Sequence, residues 1–166
     1  MCIRDSYEIN PEQRIGIDAK WDLGIGLWFE ASYIERMKKI GLYSRQGLLL
    51  IGSDYTFKIG NGLNLIGEHF INFSGEKNIN ENSSSISATS ISYPISFTGS
   101  LNAFYYKQWK NNKNTFAINY QHIFNKITAY LIASYNPKLS EENFFENEIL
   151  NTFAGPSFQL LLTYNH

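Results

Sequence analysis

Residues 14–35, RIGIDAKWDLGIGLWFEASYIE, decide the fold. The odd positions Ile15, Ile17, Ala19, Trp21, Ile25, Leu27, Phe29, Ala31 and Tyr33 are all apolar. The even positions Arg14, Gly16, Asp18, Lys20, Gly24, Gly26, Glu30 and Ser32 are small, polar or charged, and Trp28 is the one exception. A period of two over this length marks strands, because successive side chains point to opposite faces of a pleated sheet. Asp22-Leu23-Gly24 reads as the hairpin turn, with Gly where a three-residue loop needs positive φ. With that turn Trp21 is expected opposite Ile25, Ala19 opposite Leu27, Ile17 opposite Phe29, Ile15 opposite Ala31 and Gly16 opposite Glu30. Both arms then keep one apolar and one polar face. The apolar face needs a cover, and the candidates are a second sheet or lipid.

The pattern continues along the chain. After a charged connection at 36–43, a strand from about 47 to 57 sets Leu49, Ile51, Tyr55 and Phe57 on one face and Gly52 and Asp54 on the other. Residues 58–62, KIGNG, form a turn by their Gly and Asn content. The return strand 63–73 puts Asn64 and Glu68 on the polar face and Leu63, Leu65 and Ile71 on the apolar one, where His69 is an odd guest. A polar loop at 74–85 leads to a Ser- and Thr-rich strand at 86–93, ended by Pro94, whose missing N–H suits a strand end. The facing of this strand is open, and that of the next, 101–109, is ambiguous because Phe104-Tyr105-Tyr106 is aromatic on both sides. A second clean hairpin spans 116–135 around Asn125-Lys126, with expected pairs Phe124/Ile127, His122/Ala129, Tyr120/Leu131, Ile118/Ala133 and Phe116/Tyr135. After a segment at 136–154 that is acidic in its middle, the last strand alternates Phe158, Leu160, Leu162 and Tyr164 with Ser157, Gln159, Leu161 and Thr163. The expected fold is all-β, an antiparallel up-and-down meander of about nine strands.

Composition narrows the class. Aromatic residues make up 16% of the 166, against 17% charged, which is rich in β-formers and thin in surface charge for a water-soluble protein. A net charge of −1 argues against a nucleic-acid partner, which would call for a basic face. No run approaches the ~18 apolar residues of a membrane helix. Mean hydropathy of −0.27 does not exclude a transmembrane barrel, since only alternate residues of its strands meet lipid. The single Cys is Cys2, inside MCIRDS at positions 1–6, which resembles a translated sequencing-adapter end. On that reading the native chain begins near Tyr7, and 7–166 is the C-terminal portion of one domain.

The connections alternate in character. Those at 22–24, 58–62, 94–99 and 125–126 are short; those at 36–46, 74–85 and 136–154 are long and polar, and 110–114 is brief for its side. Short turns at one end with longer loops at the other is the outer-membrane barrel pattern. RIGIDAKWDLGIGLWFEASY, DYTFKIGNGLNLIGEHF and the last strand FQLLLTYNH resemble the C-terminal part of a bacterial outer-membrane porin-like β-barrel, over about 7–166. The resemblance implies a transmembrane β-barrel in the cell outer membrane that passes small hydrophilic solutes by diffusion through a water-filled lumen. It implies outer-membrane lipids as partners of the apolar face, and barrel-insertion machinery as reader of the last strand. His166 stands where such strands end in Phe or Trp, a departure from the pattern. An odd strand count implies at least one strand upstream, since single-chain bacterial barrels have even numbers.

The rival is a soluble sandwich or lipocalin-like barrel, with the same alternation and the apolar face turned inward. Aromatics near strand ends, such as Trp21, Tyr55, Phe57, Trp109, Phe124 and Tyr164, favour lipid, because interfacial girdles hold them there. Arg14, Asp18, Lys20, Glu30, Asp54 and Glu68 lie on the polar face of the first four strands. They would be costly in a dry core and sit well along a wet lumen, where they are the candidate selectivity residues. No cofactor, metal or catalytic set is expected: GxSxG, HExxH, CxxC and phosphate-loop motifs are all lacking. The alternative functions are a lipid hydrolase centred on His122, a structural or adhesive barrel, and a soluble binding protein. For His122, two residues before Phe124 at a turn, an interfacial position is the better account, since His sits there at little cost.

Overall fold

The structure, a computed structural model, describes residues 12–36, 44–76, 79, 82–138 and 154–164. The adapter-like residues 1–6, His166 and most of the acidic segment 136–154 lie outside the described residues. Among the described residues there are nine strands and no helix. They are β1 (Glu12–Asp22), β2 (Gly26–Arg36), β3 (Arg45–Phe57), β4 (Leu63–Gly75), β5 (Asn82–Pro94), β6 (Gly99–Gln108), β7 (Lys113–Ile123), β8 (Ile127–Asn136) and β9 (Gly155–Tyr164). They form one antiparallel sheet in the order β1 to β9, so each strand pairs only with its sequence neighbours. β1 and β9 are its edges, and the sheet is not closed.

The first hairpin turns one residue later than the sequence predicts. Trp21 pairs with Leu27, Ala19 with Phe29, Ile17 with Ala31, Gly16 with Ser32 and Ile15 with Tyr33. Asp22 belongs to the strand and pairs with Gly26, leaving Leu23-Gly24-Ile25 as the loop. The cause is local: Asp22 Oδ1 accepts the Gly24 N–H at 3.3 Å, and the Leu23 N–H donates to Ile25 O at 3.2 Å. Gly24 sits at φ +83°, where a side chain would be strained. Each partner moves by two residues, an even step, so the faces do not exchange.

The second hairpin has the predicted register. Phe116 pairs with Tyr135, Ile118 with Ala133, Tyr120 with Leu131 and His122 with Ala129. The Phe124 N–H donates to Ile127 O at 2.7 Å and closes the Asn125-Lys126 turn. Elsewhere the strands are longer than read: β4 runs on to Gly75 and β5 starts at Asn82, which takes both ends of the expected 74–85 loop into the sheet. The turn at 58–62 is tied to its neighbour. Asn61 Nδ2 donates to Pro94 O at 2.9 Å and Ile95 O at 3.2 Å, and the Tyr93 hydroxyl covers Gly60.

The described residues divide into two compact units. One holds the chain through Tyr55 with Gly67–Ser87 and Gln108–Lys110; the other holds Thr56–Ile66, Ala88–Lys107 and the chain from Asn111 on. Neither has a hydrophobic core: among the described residues no hydrophobic side chain is buried. In the first unit Ile15, Ile17, Trp21, Leu27 and Ile51 are exposed, Ile17 at 64%. In the second, Phe116, Ile118, Leu131, Tyr135, Phe158, Leu160, Leu162 and Tyr164 are exposed, Leu160 at 61%. These are the positions that alternation assigned to the apolar face.

Candidate functional site

The even face of β1 to β3 is built row by row. In one row Asp18 is the direct partner of Glu30, and Glu30 of Leu50. In the next, Gly16 faces Ser32 and Ser32 faces Leu48. Because each partner pair shares a face, Asp18, Glu30, Ser32, Leu48 and Leu50 stand together. With Phe70 of β4 they line a trough of about 420 Å³. Gly16 contributes no side chain to it, and a Cβ there would meet only Ala31 O at 3.7 Å and Ser32 Cβ at 4.0 Å. The trough is therefore open because position 16 is glycine.

The other candidate wall residues disperse around this centre. Asp54 pairs with Gly26, and its carboxylate lies over that glycine. Lys20 pairs with Trp28, not with an acid. Arg14 forms an ion pair with Glu12, which also holds Arg36 at 3.7 Å, so Arg14 is committed along its own strand. Glu68 belongs to the even positions of β4. Phe70 lines the trough, and Asn72 Oδ1 accepts from Gln46 Nε2 at 3.5 Å, both on that face. Among the described residues neither Asp18 nor Glu30 has an ion-pair partner. Of the six candidate residues, Asp18 and Glu30 are thus brought together as direct partners beside an apolar floor, while Arg14 and Lys20 stand apart from them.

Leu48 and Leu50 escaped the sequence reading. The parity that sets Leu49 and Ile51 on the apolar face sets Leu48 and Leu50 with Gly52 and Asp54, but in an unbroken apolar run nothing marks them as site residues until the ladder with β2 brings them beside Glu30 and Ser32. Trp28, the exception on the polar face, lies over Gly52, its direct partner. The indole fills the space that the glycine leaves.

The histidines separate into two environments. His122 Nδ1 is 3.1 Å from the Tyr120 hydroxyl, and its ring centroid is 4.5 Å from that of Phe124. Among the described residues no serine hydroxyl bonds to His122. His69 is placed otherwise: its Nδ1 is 2.8 Å from Ser87 Oγ, which also accepts the Trp109 Nε1–H at 2.8 Å. The His69 and Trp109 rings meet edge to face at 6.5 Å. This cluster gives His69 a polar partner on the apolar face and fixes the facing of Ser87, which the sequence left open. Among the described residues no group of three His, Cys, Asp or Glu side chains could hold a metal ion. No family model, curated protein or solved structure matches the chain.

Proposed function

We propose that the chain forms part of an outer-membrane β-barrel whose polar face, the even positions of β1 to β4, lines a water-filled lumen and whose apolar face meets lipid, and that it conducts small hydrophilic solutes. One observation carries the reading: large apolar side chains repeat at every second position on an uncovered face, with no hydrophobic core among the described residues. In water such a face would drive association, since soluble monomers rarely expose apolar patches beyond a few hundred Å². Lipid is the solvent that matches it.

Strand parity adds a requirement. β1 and β9 are eight antiparallel steps apart and run in the same direction. Closing the sheet with every neighbour antiparallel takes an odd number of added strands, which agrees with the even counts of bacterial barrels. The test is planar-bilayer recording of the full-length protein, with the strands that close the sheet, refolded in detergent. Stepwise ohmic conductance is the expected result, and a protein that inserts without conducting overturns the channel.

A second reading, a lipid hydrolase, is favoured by the 2.8 Å contact between Ser87 Oγ and His69 Nδ1, in place of His122. Phospholipid hydrolysis that disappears in Ser87→Ala and persists in His122→Ala would support it. Activity unchanged in Ser87→Ala would remove it.

A further inference from the structure

We propose that the trough on the even face of β1 to β4 binds an amphipathic organic cation, with its ammonium between Asp18 and Glu30 and its apolar body against Leu48, Leu50 and Phe70. The proposal deepens the reading of this face as wet, and rests on it only for the route by which a ligand arrives.

Three features converge on that chemistry. Asp18 and Glu30 are direct cross-strand partners, and like charges in that position repel. An ammonium placed between them removes the repulsion and gains two charge-assisted hydrogen bonds. Next to the acids lies a floor of leucine and phenylalanine that a bare or hydrated metal ion leaves uncovered. Ser32 adds a hydroxyl in the neighbouring row, able to accept a third ammonium hydrogen. The volume of about 420 Å³ lies at the lower end for ligand sites, which fits a single-ring amine.

The third feature is Gly16. Its position faces Ser32 within the trough, its φ is not in the left-handed region, and a Cβ meets nothing closer than 3.7 Å. A side chain there would be unstrained and would occupy the ligand's space. Gly16→Ile therefore fills the trough while keeping both carboxylates and the apolar floor, and its β-branched side chain suits a strand.

The experiment is calorimetric titration of the folded protein held in amphipol with three probes: phenethylammonium, methylammonium and phenethyl alcohol. The expected result is saturable binding of phenethylammonium, about tenfold or more tighter than either half-probe. Gly16→Ile should abolish it, and Asp18→Asn/Glu30→Gln should weaken it by about tenfold or more. Equal binding of methylammonium overturns the apolar half of the site, and equal binding of phenethyl alcohol overturns the acidic half. No saturable binding in the wild-type protein, or full binding in folded Gly16→Ile, overturns the site altogether. The probe comparison uses the wild-type chain and stands whether or not a variant folds. Conductance without binding removes the site and leaves the channel; binding without conductance does the reverse.

Discussion

The indole of Trp28 lies over Gly52, its direct partner across the β2–β3 ladder, so closely that a Cβ at position 52 would overlap the ring. Gly52→Val should therefore expel the indole and lower stability by about 1–3 kcal/mol, as overpacking does. Gly67, in β4, is the control, because a Cβ there meets nothing within 4 Å. Gly67→Ala should be neutral or slightly stabilising, since it reduces the freedom of the unfolded chain. Urea unfolding of the detergent-folded protein, followed by tryptophan fluorescence, measures both. Equal midpoints for the two variants would show that the indole is not held by the glycine.

How far the sequence could be read is visible in the first hairpin. Alternation assigned each side chain of β1 and β2 to its face, and the ladder keeps those faces. It did not locate the turn, because the Asp22 carboxylate captures the Gly24 N–H from the strand end, and a side-chain acceptor leaves no periodic trace. The Asn125-Lys126 hairpin has no such competitor, and its register was legible to the residue. The trough was only half legible. Asp18 and Glu30 stood out as charges on a polar face, while Leu48 and Leu50, on that face by parity, carried no mark of a role within an unbroken apolar run. Ser87 was hidden for the opposite reason: β5 is so rich in serine that its two faces look alike until His69 and Trp109 bind one hydroxyl.

Leu160 and Gln159 are neighbours in β9 on opposite faces, Leu160 opposite Leu131 and Gln159 opposite Ile132. Both are exposed. If lipid covers the odd face of β8 and its partners in β9, Leu160→Arg should cost about 2–4 kcal/mol near the bilayer midplane. Gln159→Arg should insert like wild type. The amount of protease-resistant, membrane-bound protein reports each. A wild-type chain that stays monomeric and soluble without detergent, and is damaged equally by both changes, would favour the sandwich.

Asn61 joins two adjacent turns through its side-chain amide, with acceptors at Pro94 O and Ile95 O. Asn61→Ala removes both bonds from an exposed site, so the expected loss is about 0.5–1.5 kcal/mol rather than twice that. Thermal unfolding followed by loss of heat-modifiable mobility on gels checks it. Asn61→Asp, which keeps the shape and replaces the donor with an acceptor, should lose at least as much as Asn61→Ala. Retention of full stability by Asn61→Asp would place the role of this residue in its backbone.

The charge on the even face bears on ion selectivity. Fixed carboxylates in a confined aqueous path raise the local cation concentration, and the effect grows where no cation neutralises them. Asp18 and Glu30 meet that condition, since Arg14 is held by Glu12 and Lys20 stands opposite Trp28. A weak cation preference is therefore expected, read as the reversal potential under a potassium chloride gradient. Asp18→Asn/Glu30→Gln should lower the potassium-to-chloride permeability ratio by about two- to threefold. Lys20→Gln should raise it, because it removes a positive charge from the same face without touching the acids. Salt should erase the difference, since the Debye length falls to about 3 Å at 1 M. A preference that is unmoved by neutralising Asp18 and Glu30, yet still screened by salt, would assign the selectivity to charges outside β1 and β2.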